Sequence, residues 1–226
     1  MTFVLAFFWI FFGASVFFWV VAALFGKVTR KFVFSGRGDD SPRMIFQITT
    51  KYCPETVERG IASIRRSCTE TGFNNYDIWI VTRNPVPNLT DKKVRWVFVP
   101  DSFKSVAKFK ALSLEFARRL RAEEGYNGWI YYIDEENWIT AQTVRAITNF
   151  AVHGNAKLAS GPLVFKSGGS YLGWLGDSVR SSEGRISSMQ HSLGYWPVHG
   201  DNMLIEFSLE KEVGWEFPQL TEDVQF

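Results

Sequence analysis

The chain is poor in cysteine, with 2, and in histidine, with 3, among 226 residues. Cys53 and Cys68 form neither a metal-ligand spacing nor a disulfide framework, so they read as plain thiols suited to a reducing compartment. His153, His191 and His199 do not pair at ligand spacing, which argues against a zinc site and against a His-rich phosphohydrolase centre. An excess of one charge is also missing. Lys+Arg number 25 against 23 Asp+Glu, a formal net charge of +2, which gives no footprint for nucleic acid. The Gly-rich stretch 168–177 does not lead from a strand into a helix at phosphate-loop spacing, so it is not a nucleotide loop. Its Tyr171, Leu172, Trp174 and Leu175 read either as ordinary packing or as a face toward a bilayer.

Charge is absent altogether from 2–26, where Phe, Trp, Val, Ile and Leu dominate. About 20 apolar residues cross a bilayer as a helix. The run lacks the basic start and clear cleavage site of a signal peptide, so 1–26 is expected to be a retained transmembrane anchor. Lys27, Arg30, Lys31 and Arg37 follow the run and none precedes it, which places the remainder in the cytoplasm, single-pass. The polar, Gly-bearing region 27–43 reads as a linker. Asn88-Leu89-Thr90 is a glycosylation sequon by pattern, unused on that side of the membrane.

Beyond the linker, periodicity predicts strands at 44–49, 77–82, 94–99 and 129–133. Helices are expected at 54–71, 108–123 and 141–151. In the second of these, Leu112, Leu114, Phe116 and Leu120 are expected to face inward. The segment 158–165 reads as a strand pair or bent strand. Strands alternating with helices imply parallel pairing and an α/β layered fold. Ligands of such sheets bind at the carboxyl ends of the strands.

At one such end the apolar run 129–133 meets Asp134-Glu135-Glu136. Carboxylates are too costly to carry into a core, so these belong at the sheet edge. A hard cation holding a phosphate is the natural counterpart, because Mg²⁺ and Mn²⁺ take a few carboxylate oxygens plus substrate phosphates. The alternative is a solvated acidic turn. If the segment stays extended, Glu135 points to the opposite side from its neighbours. A second acidic motif, Thr221-Glu222-Asp223, lies near the C-terminus. One acidic site for a metal and another for a base suits a metal-dependent group transferase.

From 44 to 226 the order of motifs resembles the family-2 glycosyltransferases, and among them the membrane-anchored egghead-type β-mannosyltransferase group. The likeness rests on Gln47-Ile48-Thr49-Thr50 before a helix opening at Pro54-Glu55, on Lys110-Ala111-Leu112 at a helix start, on Asp134-Glu135-Glu136, on His199-Gly200-Asp201-Asn202 and on Thr221-Glu222-Asp223. It implies a GT-A fold, a mixed but mostly parallel sheet flanked by helices, over 44–226. The sequence departs from the family in lacking its Pro-Thr-Tyr-Asn loop and in carrying Thr82-Arg83-Asn84 for its double-acid motif. Members also continue past the Thr-Glu-Asp motif, so a C-terminally truncated domain is one reading.

The resemblance implies an inverting, metal-dependent glycosyltransferase acting on a nucleotide-sugar such as GDP-mannose, with a lipid-linked or saccharide acceptor near the membrane. Asp134 and Glu136 become metal ligands for Mg²⁺ or Mn²⁺. Thr49, Thr50, Lys110 and Glu135 fall on the donor side. Asp223 becomes the general base; the other reading of its motif is a helix N-terminus with Thr as cap. His199, Asp201, Trp215 and Glu222 fall on the acceptor side. Lys110 reads equally as a solvated lysine, and Trp215 as core. Alternatives for the whole chain are a fragment of a processive polysaccharide synthase and an inactive, membrane-tethered binding protein on the same scaffold.

Overall fold

Apolar, β-branched runs separated by amphipathic stretches produce strands joined by helical crossovers. The structure, a computed structural model, describes residues 9–10, 12–14, 16–17, 41–51, 53–84, 91–161 and 202–216. The elements are β1 (Met44–Thr50), α1 (Pro54–Thr71), β2 (Tyr76–Thr82), β3 (Val94–Phe98), α2 (Phe109–Glu123), β4 (Trp129–Asp134), α3 (Ala141–His153), β5 (Leu158–Ser160), β6 (Met203–Glu206) and α4 (Phe207–Val213).

The chain divides into two compact units, Met1–Lys31 with Pro162–Pro197, and Phe32–Gly161 with Val198–Phe226. In the first, the described residues are helical, and Trp9 meets Phe12 edge to face at 6.1 Å. No helix among the described residues is long and apolar enough to cross a membrane. Most of the expected anchor, the linker up to residue 40, the sequon and the stretch 168–177 lie outside them.

In the second unit the sheet order is β3-β2-β1-β4-β6-β5. β1 pairs in parallel with β2 and β4, and β2 with β3. β6 runs antiparallel to β4 and to β5. The mixed, mostly parallel sheet expected from the sequence is therefore present. β1 is buried along nearly its whole length, as a central parallel strand covered on both faces must be.

Strand alternation divides the core into two layers. On one face Phe46, Ile48, Ile78, Ile80, Tyr131 and Ile133 pack with α1 and α3 through Val57, Ile64, Val144 and Ile147. On the other, Ile45, Trp79, Val81, Ile130, Tyr132 and Ile205 pack with Leu114 and Ala117 of α2 and with Phe207 and Trp215. Gly72 ends α1 at φ +71, a left-handed turn that suits glycine. Gly128, just before β4, is needed for close approach: a Cβ there would lie 2.5 Å from the Arg43 carbonyl oxygen. Cys53 is exposed and Cys68 buried; burial pushes the Cys68 thiol up to about 12, so it stays protonated in the core.

Three details differ from the sequence expectation. The strand expected over 158–165 is β5, Leu158–Ser160, with residues 162–165 outside the described set. β6 and α4 were not anticipated, because Met203–Glu206 runs straight into Phe207 with no turn residue to separate two periodicities. The inner stripe of α2 also carries charge. Its buried residues are Ala111, Ser113, Leu114, Glu115, Ala117 and Arg121, while Leu112, Phe116 and Leu120 are only partly buried.

Glu115, 0% exposed, accepts from Arg118 Nε at 2.8 Å, Arg119 Nε at 2.7 Å and the Trp215 backbone N–H at 3.1 Å. Burial raises its pKa, but the guanidinium and amide donors outweigh burial and hold it below its ordinary 4.5. A carboxylate depressed in the folded state contributes stability that is complete above its unfolded pKa and is lost as pH falls through the folded value. Glu115→Gln is expected to lower Tm at neutral pH and to flatten the acid limb of the Tm–pH curve. Thermal melts from about pH 7 to about pH 3 check this; two parallel curves would show that Glu115 does not contribute.

Candidate active site

The chain places β2 and β3 on one side of β1 and β4 on the other, so the strand order reverses between β1 and β4. A crevice opens at such a switch point, at the carboxyl ends of the strands. Register brings Thr49 beside Asp134 and Thr50 beside Thr82 at this edge.

β4 stays buried through Ile133 and becomes half-buried at Asp134. There the chain turns: the Asn137 N–H donates to the Asp134 carbonyl at 3.0 Å. The extended course assumed for Glu135 is thus replaced by a turn, and Glu135 comes back to accept a hydrogen bond from the Thr50 hydroxyl. Glu136 is exposed on the same turn. From α2, Lys110 Nζ reaches Asp134 Oδ1 at 2.6 Å, with the two side chains 28% and 27% exposed. Phe109, which sets Lys110 at the start of α2, is held at φ +54, a sparsely populated conformation for an aromatic residue. Beside β2, the Asn84 N–H donates to Thr82 Oγ1 at 3.1 Å, and its side-chain amide caps the Lys51 carbonyl.

Thr49, Thr50, Lys110, Asp134 and Glu135 are therefore assembled at one edge. Among the described residues, no group of three or more His, Cys, Asp or Glu converges as a self-sufficient metal cage. The chemistry of the donor set still fits a hard cation carrying substrate phosphates, which needs only one or two carboxylates. Asp134, Glu135 and Glu136 are the carboxylates on this turn.

Below the edge lies a polar cluster that sequence reading missed. Arg121 donates to Gln47 Oε1, to the Tyr132 hydroxyl at 3.0 Å and to Glu210 Oε1 at 2.5 Å. The same Glu210 oxygen accepts from the Tyr132 hydroxyl and, at 2.8 Å, from the Trp215 indole N–H. Arg121 and Glu210 are both 0% exposed. Burial drives the Tyr132 hydroxyl well above its usual pKa of 10.0, with the Glu210 charge adding to the effect, so it remains a donor. Trp215, placed on the acceptor side from sequence, is 1% exposed and sits edge-on to Tyr132 at 5.4 Å. Its indole packs in the core layer rather than offering a face to a sugar. The signal in the sequence was a charge at the inward position of an apolar helical stripe: Leu114, Ala117, Arg121.

His199, Asp201, Glu222 and Asp223 lie outside the described residues. Asn202, next in the chain, is held at φ +88 and donates its backbone N–H to the Tyr132 carbonyl at 3.0 Å. The chain after residue 201 thus enters the sheet two residues from Asp134.

Residues 129–226 match the family model described as glycosyl transferase family group 2. The chain is 28% identical over 191 residues to the beta-1,4-mannosyltransferase bre-3 of Caenorhabditis briggsae, a match covering 78% of this chain and 41% of that one. It is 27% identical over 177 residues to the beta-1,4-mannosyltransferase egh of Drosophila melanogaster, covering 72% and 38%. The fold is similar to that of a mannosyltransferase from Pyrobaculum calidifontis solved in complex with GDP-Man and Mn2+, with TM-score 0.59, 14% identity, and coverage of 97% of this chain and 59% of that one. Over 129–226 the chain is thus similar to the family-2 glycosyltransferases, and its fold is GT-A-like. Its particular likeness is to the egghead and bre-3 beta-1,4-mannosyltransferases, of whose length it spans about two fifths.

The Thr50–Glu135 bond ties the acidic turn to β1. Thr50→Val is expected to cost about 1.5 kcal/mol, the worth of a hydrogen bond to a charged acceptor. Urea denaturation measures it, and an unchanged midpoint would mean that the turn holds without this tether.

Proposed function

We propose that the domain is an inverting, metal-dependent glycosyltransferase that moves mannose from GDP-mannose to a membrane-proximal acceptor, either lipid-linked or a saccharide. The observation that carries the reading is the Lys110–Asp134 pair, 2.6 Å apart at the β1/β4 switch point. A carboxylate and an ammonium in one half-exposed crevice suit a ligand that brings both a cation and phosphate oxygens. Similarity to beta-1,4-mannosyltransferases supports mannose as the sugar. The fold neighbour's GDP-Man and Mn2+ support the donor and the need for a divalent ion.

Asp134 and Glu136 hold Mg²⁺ or Mn²⁺, which when bound neutralises charge on the leaving diphosphate. Lys110 releases Asp134 and turns to a phosphate oxygen. Thr49 and Thr50 border the nucleotide, with Thr50 keeping Glu135 in place. Asp223 accepts the proton of the acceptor hydroxyl as that oxygen attacks the anomeric carbon. The attack comes opposite the diphosphate, the bond from the anomeric carbon to the phosphate oxygen breaks, and the centre inverts. His199, Asp201 and Glu222 serve the acceptor side. The 2–26 run acts as a single-pass anchor with the domain on the cytoplasmic side.

A panel of nucleotide-sugars offered to membranes bearing the full chain, with and without EDTA, tests the reading. One donor consumed only in the presence of metal is expected. Binding without turnover would make the chain an inactive scaffold instead. Asp134→Ala is expected to weaken Mn²⁺-dependent GDP-mannose binding at least ~10-fold by calorimetry; an unaltered metal dependence removes Asp134 from the metal site. Asp223→Asn is expected to reduce transfer by roughly 10²–10⁴-fold with donor affinity retained, the range for a lost general base. Equal losses in both would sink the base assignment.

A further inference from the structure

The cluster beneath the edge is poorly explained by stability alone. Two fully buried charges are expensive to desolvate, and replacing such pairs by apolar residues is often neutral or stabilising. Arg121 Nε and Glu210 Oε2 moreover have no hydrogen-bond partner among the described residues, so the cluster is not even fully satisfied. What distinguishes it is its location. Gln47 and Tyr132 are register partners on β1 and β4, and the next same-face partners toward the carboxyl end are Thr49 and Asp134. Two residues along a strand is about 6.6 Å. The Arg121 guanidinium therefore bridges the two paired strands two residues before their pairing ends at Thr49 and Asp134, one layer below that edge. Gln47 carries the contact upward, its amide donating to Thr49 Oγ1 at 3.3 Å.

Arg121 also shares α2 with Lys110. From α2 its fork contacts β1 through Gln47 and β4 through Tyr132, and Lys110 meets Asp134 from the start of the same helix.

We infer that Arg121, braced by Glu210 and Tyr132, is a positioning residue: it bridges β1 and β4 beneath the crevice and sets α2 so that Lys110 and Asp134 meet at the metal–diphosphate site. The inference rests on the donor-site reading given above. It assigns the fork of an arginine, not merely a positive charge, because only a planar guanidinium reaches Gln47, Tyr132 and Glu210 together.

Tyr132→Phe is the mild variant, since it keeps the ring against Trp215 and removes only the hydroxyl. Arg121→Lys keeps the charge and loses the fork. The full chain is compared with both variants by thermal melting, by lysine-directed chemical labelling read by mass spectrometry, and by Mn²⁺ titration of GDP-mannose binding. Expected for Tyr132→Phe are a folded protein, several-fold faster labelling at Lys110 with no change at exposed Lys104, and a Mn²⁺ half-saturation raised roughly 10-fold, the usual effect of losing a supporting partner. Arg121→Lys is expected to show the same changes, larger. Unchanged Lys110 labelling in folded Tyr132→Phe overturns the inference. So does faster labelling with an unaltered Mn²⁺ titration. If the wild-type chain binds no metal–nucleotide at all, the donor-site reading falls, and Lys110 labelling alone then decides whether Arg121 sets α2.

Discussion

One carboxylate oxygen gathers most of the second unit. Glu210 Oε1 accepts from Arg121 on α2, Tyr132 on β4 and the Trp215 indole beyond α4. Through Arg121 it is also linked to Gln47 on β1. A single acceptor with donors from α2, β4 and the segment after α4 is more demanding than any one apolar contact, because each donor must arrive at the right angle as well as the right distance. The apolar layer around it, Leu114, Ala117, Phe207 and Ile205 among others, tolerates changes of shape far better. The charged centre therefore fixes the register of helix on sheet, and the apolar surround supplies the burial.

The two faces of the sheet then divide the work at the edge. Alternation sends Gln47 and Thr49 of β1, with Tyr132 and Asp134 of β4, to the α2 face, and Thr50 to the face covered by α1 and α3. Asp134 finds its cation on α2, while Glu135, carried round by the turn, finds Thr50. Neighbouring acids are thus held from opposite faces of one sheet. A shift of one residue in the β1/β4 pairing would exchange the faces and separate both pairs.

Much of this was legible in advance. The apolar run ending in Asp134-Glu135-Glu136 defined both a strand and the point where it leaves the core, because three carboxylates cannot follow five apolar residues inward. Alternation of elements implied the parallel sheet, and the switch-point rule then pointed to Thr49, Thr50 and Asp134. What stayed hidden was long-range. Nothing local marks Glu210 as the partner of Arg121, 89 residues away. Four apolar-rich residues leading directly into a helix gave β6 no signal of its own. Trp215 was ambiguous because an indole suits a sugar and a core equally well, and only the position of Glu210 decides between them. The turn after Asp134, one of the two readings of the acidic segment, has no glycine or proline to decide in its favour.

The two ion pairs of this region differ in a way that bears on chemistry. Arg121–Glu210 is 0% exposed on both sides, and Lys110–Asp134 is 28% and 27% exposed. In the buried pair, parting the charges would leave each stranded at a cost of several kcal/mol, on the order of 3–5. In the half-exposed pair, water screens the attraction and the net worth is nearer ~1 kcal/mol. The lower pair is therefore a fixed part of the frame, while the upper pair is weak enough to trade partners. The proposed donor site, receiving a cation and a diphosphate, would need both properties: its carboxylate and ammonium must part easily, and the frame beneath must not move when they do. The sheet provides this by placing the exchangeable pair one register step above the permanent one.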